Sequence, residues 1–438
     1  MGLLPEEAVR VCTLSLISLV ACRASAAEAP TFNHDIAPIL YRHCTSCHRP
    51  GDIAPFPLLT YKDAATRADD IASATKTRYM PPWKPEPNYG DFQGVRRLTG
   101  TEIATIQSWA KAGAPQGDPS APPKPPQFTD GWQLGRPDLV LTMPEPFTIP
   151  ASHDIYQCFV LPLKLPEDKA VSAVEFRPGN RKILHHSIFF LDTRGAARWK
   201  DGGSPEPGYR CFGGPGFPAS GMVGGWTPGA TAAKLPSGVV RMLTKGSDLV
   251  IQNHYHPMGR NDTDQSSIAL YFSKVPVQKT VFGIPVGTPD LVIPAGEKRY
   301  RVATSFVAPI DLDVIGITPH MHLLGSEMNA RATLPDGSVE PMIWIRRWDF
   351  NWQGQYNYKR LLRLPKGTRI DVESFYDNST GNPRNPNHPP QTVRWGESTT
   401  DEMNVVFIHC QTANPRDEFT VLAEVVFQQP AWIRTGGF

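Results

Sequence analysis

The chain has 438 residues, a length sufficient for about three domains with cores of their own. Its 44 Lys and Arg residues nearly balance its 42 Asp and Glu residues, and the formal net charge is +2. This balance excludes the basic stripe typical of proteins that bind nucleic acid, so we expect no nucleic-acid partner. It also excludes an acidic, disordered tail.

Residues 1–26 have the pattern of a signal peptide. An apolar run at 11–21 is too short to span a bilayer, and Ala24-Ser25-Ala26 matches an A-x-A cleavage site. The alternative is a lipoprotein signal, because Leu19-Val20-Ala21-Cys22 resembles a lipobox and would place a lipid anchor on Cys22. Both interpretations predict an exported, periplasmic protein, and the second adds a membrane tether.

Cys44-Thr45-Ser46-Cys47-His48 is a C-x-x-C-H motif. Two thiols at this spacing can bond both vinyl groups of one haem, and the following His can coordinate the iron. The alternatives are half of a zinc site or a redox dithiol. No second Cys or His pair follows at zinc spacing, and no βαβ pattern surrounds the motif, so one covalently bound haem c is favoured.

Helical patterns flank this motif. Residues 32–43 carry apolar side chains near helical spacing, and residues 98–114 predict a second helix with Thr99 or Thr101 as its N-cap. Between them Met80 precedes two prolines and could be the sixth iron ligand, or a core methionine. Residues 31–115 resemble small all-α cytochrome c domains, which close with a helix of the type L-T-x-x-E-I-x-x-I-x-x-W-x-x-x-G-A.

Residues 116–130 form a Pro-rich linker, and the pattern beyond it is β-rich. Short Val-, Ile- and aromatic-rich runs alternate with Gly and Pro turns, which is typical of antiparallel sandwiches. The length predicts two such domains, 131–276 and 277–438. The predicted strands are 155–163, 183–191, 249–256, 268–272, 301–307, 313–322, 370–375, 403–410 and 420–427.

Histidines cluster in this half. His320 and His322 share one side of a predicted strand, so both can bind one metal, and Met403 can add a thioether. Imidazole with thioether favours copper. His185 and His186 point to opposite sides of a regular strand, so they share a metal only if the strand bends there. His254 lies in a third cluster. Taken singly, these residues could also be accidental or core residues.

The order of motifs resembles the copper type II, ascorbate-dependent monooxygenases, the family of peptidylglycine α-hydroxylating and dopamine β-monooxygenases. The resemblance covers roughly residues 131–430. Its stations are Asp154-Ile155-Tyr156-Gln157-Cys158, Ile183-Leu184-His185-His186, Lys234-Leu235-Pro236-Ser237-Gly238-Val239, Gln252-Asn253-His254-Tyr255, Ile293-Pro294-Ala295-Gly296-Glu297, His320-Met321-His322-Leu323-Leu324-Gly325 and Asp401-Glu402-Met403.

The resemblance implies two antiparallel jelly-roll-like domains, each with one copper ion, facing each other across an open cleft. The electron-transfer copper would be held by His185, His186 and His254. The copper that binds O2 and substrate would be held by His320, His322 and Met403, which are the expected catalytic residues. The implied activity is O2-dependent hydroxylation of a C–H bond of a small molecule. His256 has no place in either ligand set.

Departures from the family concern substrate and disulfides. The positions that bind a substrate carboxylate in peptide-specific members are Thr318, Val405 and Phe407 here, which favours a neutral or apolar substrate. Cys158 matches a family disulfide cysteine whose usual partner is missing, so we expect Cys211 to pair with it and Cys410 to stay free.

The fused cytochrome c segment would receive electrons from an external donor and pass them to the His185 site. Two other functions fit the same ligands. One is a non-catalytic haem and copper protein for electron transfer or copper handling. The other is a copper oxidase that reduces O2 without an organic substrate.

Overall fold

The structure is a computed structural model that describes residue 2 and residues 28–128, 131–151, 153–211, 214–230, 232–396 and 398–431. The predicted signal segment with Cys22 lies outside these ranges, apart from Gly2. Within the ranges, no helix is both long and apolar enough to cross a membrane.

The N-terminal part is helical. A π-helical turn at Phe32–Ile36 runs into α1 (Ala37–His43), and α2 (Tyr61–Ala65), α3 (Ala68–Lys76) and α4 (Gly100–Lys111) follow. Both predicted helices are confirmed. Thr99, not Thr101, caps α4, and it forms a capping box with Glu102.

The rest of the chain is mostly β. Its strands are β1 (Leu139–Thr142), β2 (Phe147–Ile149), β3 (Ile155–Pro162), β4 (Lys169–Arg177), β5 (Leu184–Asp192), β6 (Tyr209–Arg210), β7 (Gly221–Trp226), β8 (Val239–Leu243), β9 (Asp248–Tyr255), β10 (Asp262–Asp264), β11 (Ser267–Phe272), β12 (Lys279–Gly287), β13 (Val292–Ile293), β14 (Tyr300–Val307), β15 (Leu312–His320), β16 (Gly325–Thr333), β17 (Val339–Ile345), β18 (Tyr356–Leu364), β19 (Arg369–Tyr376), β20 (Val393–Arg394) and β21 (Val405–Thr412). The helices of this part are α5 (Ala196–Gly202), a 3-10 turn at Phe350–Trp352 and α6 (Pro415–Gln428).

Three larger sheets organise these strands. Their orders are β1-β11-β4-β8-β12-β21-β15-β18, β6-β3-β9-β5-β7 and β14-β19-β16-β17, and all neighbours pair antiparallel except β8 and β12. The prediction of antiparallel sheets is therefore confirmed. The short parallel pairing of β8 with β12 joins the two halves of the longest sheet, so the first and second β-rich halves share one sheet.

The two β-rich halves have separate cores. In the first, Phe159 and Ile251 of the five-stranded sheet pack with Val171 and Leu270 of the longest sheet. In the second, Ile284, Ile317 and Ile408 of the longest sheet pack with residues of the four-stranded sheet, such as Met328 and Val372. Each core thus lies between two sheets, as expected when each sheet has one apolar face.

One predicted strand is wrong. Residues 420–427 belong to the helix α6 and not to a strand. Asn414 accepts a hydrogen bond from the Arg416 backbone as an N-cap, Pro415 follows it, and Val421 and Val425 are buried one turn apart. The β-branched content of the segment suggested a strand, but its capping and its helical spacing prevail.

The disulfide expected between Cys158 and Cys211 is present. The bond connects β3 to the residue that follows β6. Among the described residues, Cys410 has no disulfide partner and is buried, and Cys44 and Cys47 in the N-terminal part have none either.

The helical part does not stand alone. Its segment after Met80 crosses to the second β half, where the Phe92 ring stacks on Tyr358 with centroids 5.0 Å apart. Backbone hydrogen bonds from Gln93 to Asn357 and from Glu86 to Trp344 hold the segment there. The sequence did not predict this contact.

Candidate functional site

A bulge in β5 brings two adjacent histidines to one place. The register between β5 and β9 shifts between Leu184 and His186, so His185 is the extra residue of a β-bulge. This is the bend that a shared metal requires. His254 lies opposite His186 on β9. One ring nitrogen of each of His185, His186 and His254 lies within 4.8 Å of the others.

Several ring nitrogens of this triad lack a hydrogen-bond partner among the described residues. The Nδ1 atoms of His186 and His254 are buried without a hydrogen bond among the described residues. Neither ring nitrogen of His185 makes a hydrogen bond of good geometry, although Asn351 approaches closely enough to raise its pKa slightly. Buried polar atoms are normally paired, so three converging imidazoles of this kind fit a metal ion.

Burial keeps these imidazoles neutral. It lowers the pKa of His185 to about 3, and it lowers the pKa of His186 and His254 as well. A neutral imidazole has a lone pair free for a metal, so the triad can act as a ligand set at neutral pH.

Asp154 orients His254. Its two carboxylate oxygens contact His254 Nε2 at 3.0 Å and His256 Nδ1 at 2.8 Å. Burial alone would raise the pKa of Asp154, but these hydrogen bonds hold it well below its ordinary value. Because Nε2 of His254 is occupied, only Nδ1 is left for a metal. His256 is largely exposed and supports Asp154, in agreement with its place outside the ligand set.

The second predicted set lies at the end of β15. The rings of His320 and His322 are 5.0 Å apart. His320 Nδ1 contacts Gln353 Oε1 at 2.5 Å, and His322 Nδ1 contacts the carbonyl oxygen of Asp401 at 3.2 Å. Both rings therefore keep Nε2 for another partner. Burial lowers the pKa of both, that of His322 to about 3. Met403 lines the same cleft.

His185 and His186 of the first set and His320 and His322 of the second line one cleft, whereas His254 is buried. The Phe350 ring contacts both sets, with its centroid 4.9 Å from the ring of His185 and 5.8 Å from that of His322. Tyr156 stacks on His254 at 4.1 Å, and its hydroxyl lies 3.4 Å from that of Thr399. Phe350 therefore connects the two predicted sites, because its ring contacts an imidazole of each.

The turn 349–353 was missed by the sequence analysis. It contributes Phe350 between the sets, Asn351 beside His185 and Gln353 on His320. It has no His, Cys or Met and no periodic pattern. The only signal in the sequence is the aromatic density of Trp348-Asp349-Phe350-Asn351-Trp352, which predicts packing and not a site.

The C-x-x-C-H motif follows α1. His48 Nδ1 contacts the carbonyl oxygen of Phe56 at 3.1 Å, and burial lowers the pKa of this imidazole. Its Nε2 is thereby left as the ligand atom, the arrangement that suits an iron-binding His. Met80 lines a second cavity with Trp83 and Leu98, and neither the cysteines nor His48 line that cavity.

No family model matches the chain. Among solved structures, PNGF-II is similar with a TM-score of 0.27 and 10% identity, over 62% of this chain and 65% of that one, which is just under two thirds of its length. The VP2 subviral particle of infectious bursal disease virus gives a TM-score of 0.18 and 8% identity, over 64% and 72%. A Paenibacillus xanthan lyase gives 0.16 and 11%, over 69% and 29%.

Proposed function

We propose that this chain is an O2-dependent copper monooxygenase that hydroxylates a C–H bond of a small molecule and receives its electrons through an N-terminal c-type haem. The observation that carries the proposal is the convergence of one ring nitrogen each of His185, His186 and His254 within 4.8 Å. Two of these residues, His185 and His186, line the same cleft as His320, His322 and Met403. Two different ligand sets facing one space suit a reaction better than they suit metal storage.

Copper fits both sets. The first offers three neutral imidazoles, with buried nitrogens that have no hydrogen-bond partner among the described residues. The second offers two imidazoles and a thioether, a donor set that favours copper over zinc or magnesium. Copper bound by these residues would supply one-electron redox chemistry and activation of O2.

The other residues of the cleft position these ligands. Asp154 fixes the ring of His254, and Gln353 and the Asp401 carbonyl fix the rings of His320 and His322. Phe350 packs against one imidazole of each set, His185 and His322. Oriented imidazoles lose less entropy when a metal binds, which favours high affinity.

A haem c would be held by thioether bonds from Cys44 and Cys47 and by His48 Nε2. It would supply an electron relay from an external donor. Met80 is the proposed sixth ligand. The proposal includes an all-α cytochrome c fold for residues 31–115. It also includes a jelly-roll topology for 131–276 and 277–438.

The disulfide supports export. Structural disulfides persist in oxidising compartments and are rare in the cytosol. The Cys158–Cys211 bond therefore agrees with a periplasmic location, which is also where haem c is attached. A lipid tether at Cys22 remains part of the proposal.

The first test is metal content. We expect the full chain, made with haem maturation and copper, to contain one haem and two copper ions. His322→Ala should lose one copper because two donors rarely retain the ion, and His34→Ala, which removes an exposed imidazole, should lose none. Haem without copper, or zinc in its place, would refute the monooxygenase.

Catalysis needs a second measurement. Reduced protein supplied with 18O2 should place one labelled oxygen atom in the hydroxylated product of an organic substrate. O2 consumption that proceeds equally well without any organic substrate would indicate an oxidase instead. Retention of both copper ions without O2 consumption would indicate an electron-transfer or copper-handling protein.

A further inference from the structure

Arg241 is a cation that has no acidic partner in the part of the chain that the structure describes. It lies on β8, is half-buried and lines the cleft. Burial lowers its pKa to about 10, and no carboxylate among the described residues counteracts this effect. Glu418 of α6 lines the same cleft, but no ion pair joins it to Arg241 in the described ranges. A half-buried guanidinium that lines a cleft has N–H donors available for a ligand there.

Strand register directs Arg241 toward the second histidine set. Val240 of β8 pairs with Thr280 of β12, and Gly283, three residues further along β12, pairs with His409 of β21. Because side chains alternate along a strand, Val240 and His409 lie on opposite faces of the sheet, and Arg241, the residue after Val240, lies on the face of His409. The positive charge of Arg241 adds to burial in lowering the pKa of His409 to about 3. The guanidinium therefore acts on the same sheet face as His409.

That face continues to His320. His409 Nε2 lies 2.8 Å from the hydroxyl of Thr318, which is two residues before His320 on β15. Residues two apart on a strand share a face and are separated by about 7 Å. All three line the cleft. A ligand bound near Arg241 could thus reach His320 along one side of the sheet.

The space between is open and apolar. A Cβ added at Gly283 would meet no atom within 4 Å. Val405 and Phe407 precede His409 on β21 and lie nearer to Met403 in the chain, and both line the cleft. The surface therefore has a cation at one end, apolar side chains in the middle and the proposed copper ligands at the other end.

We propose that Arg241, assisted by His409 and Thr318, binds the carboxylate of an amphiphilic substrate whose apolar chain lies over Gly283 and Phe407 toward His320. Arg is suited to this role because its guanidinium can hold a carboxylate with two parallel hydrogen bonds. The inference rests on the proposed monooxygenase. It amends the expectation of a neutral substrate, since the reacting end stays apolar while the far end carries charge.

The test compares octanoate with octanamide, its neutral match, by calorimetry on the oxidised, copper-loaded full chain without an electron donor. We expect octanoate to bind roughly ten-fold or more tightly than octanamide, as one charge-assisted hydrogen bond provides. Arg241→Met should abolish this preference, and Arg241→Lys should retain part of it. Arg299→Met removes an equally charged but exposed side chain and should leave the preference unchanged.

Equal affinity for the two probes, no binding of octanoate, or a preference that survives Arg241→Met would overturn the inference. Thermal unfolding of each variant shows whether it is folded. Copper content of the same samples separates the two proposals. Two copper ions without carboxylate preference would refute this inference alone, and a preference without copper would refute the monooxygenase and, with it, the role of the carboxylate as a substrate group.

Discussion

Glu402 connects the second ligand set to the strand that carries Met403. Its carboxylate accepts hydrogen bonds from the backbone N–H groups of His322, Leu324, Gly325 and Met403, at 2.9, 2.6, 3.1 and 3.1 Å. Burial raises its pKa to about 8, against the effect of these hydrogen bonds. One side chain thus fixes both the H-x-H turn and the start of β21. The sequence marked Glu402 only as part of a motif.

Removing this carboxylate should disturb the second copper more than the first. Glu402→Ala leaves four buried N–H groups without an acceptor, each costing about 1–3 kcal/mol where water cannot replace it. We expect a lower unfolding midpoint in urea and the loss of one of two copper ions, with the copper at His185, His186 and His254 retained. Glu402→Gln, which keeps one oxygen, should be intermediate.

The matched control is Glu340→Ala, because Glu340 is exposed on β17. It should change neither stability nor copper content. If Glu402→Ala kept both copper ions at the parent affinity, the carboxylate would have no role in positioning His322 and Met403.

At the scale of single elements, irregularities position the site. The bulge at His185 turns two neighbouring histidines toward one point, which a regular strand would not permit. The strand that pairs with β5 is β9, and β9 in turn pairs with β3, which carries Cys158. The disulfide of Cys158 therefore anchors the sheet that presents the triad.

Loss of that disulfide should destabilise the first β half. It closes a loop of 53 residues, for which the chain-entropy account predicts about 4 kcal/mol. We expect the double variant Cys158→Ala with Cys211→Ala to lower the free energy of unfolding in urea by this amount. The matched control Cys410→Ala removes a thiol that has no bond partner. It should cost less, about 1–2 kcal/mol for a small buried side chain. A double variant as stable as the parent would contradict the prediction.

At the scale of the whole molecule, the helical part is docked onto the second β half. Phe92 is 2% exposed and belongs to the core of that half, although it lies before the Pro-rich linker. Lys84 pairs with Asp349 at 3.2 Å, next to the turn that touches both histidine sets. The helical part, which carries the proposed haem, therefore has a fixed position relative to the cleft. A flexible tether would not fix this position.

Phe92→Ala should weaken this docking. Truncation of a buried Phe costs about 3–5 kcal/mol, so we expect a lower thermal midpoint and faster proteolysis within residues 84–97. Phe419→Ala is the control, because Phe419 is 77% exposed on α6 and its loss should cost less than about 0.5 kcal/mol. Unchanged proteolysis in the Phe92 variant would show that the helical part is held by other contacts.

The sequence by itself determined what depends on neighbouring residues. Runs rich in Val, Ile and aromatic residues marked eight of the strands, Thr99 or Thr101 marked the start of α4, and the spacing of His320 and His322 placed two imidazoles on one side. These features follow from local sterics and local hydrogen bonds. The same local reasoning failed at 420–427, where the β-branched residues predicted a strand although Asn414 caps a helix.

Only the tertiary structure decided which distant residues meet. Phe350 between the histidine sets, Gln353 on His320, Arg241 toward His409 and Phe92 in the second β core all join segments far apart in the chain. Periodicity carries no information about such pairs, because they depend on how strands are ordered in a sheet and how sheets stack. The ligand types were visible in the sequence, and their surroundings required the fold.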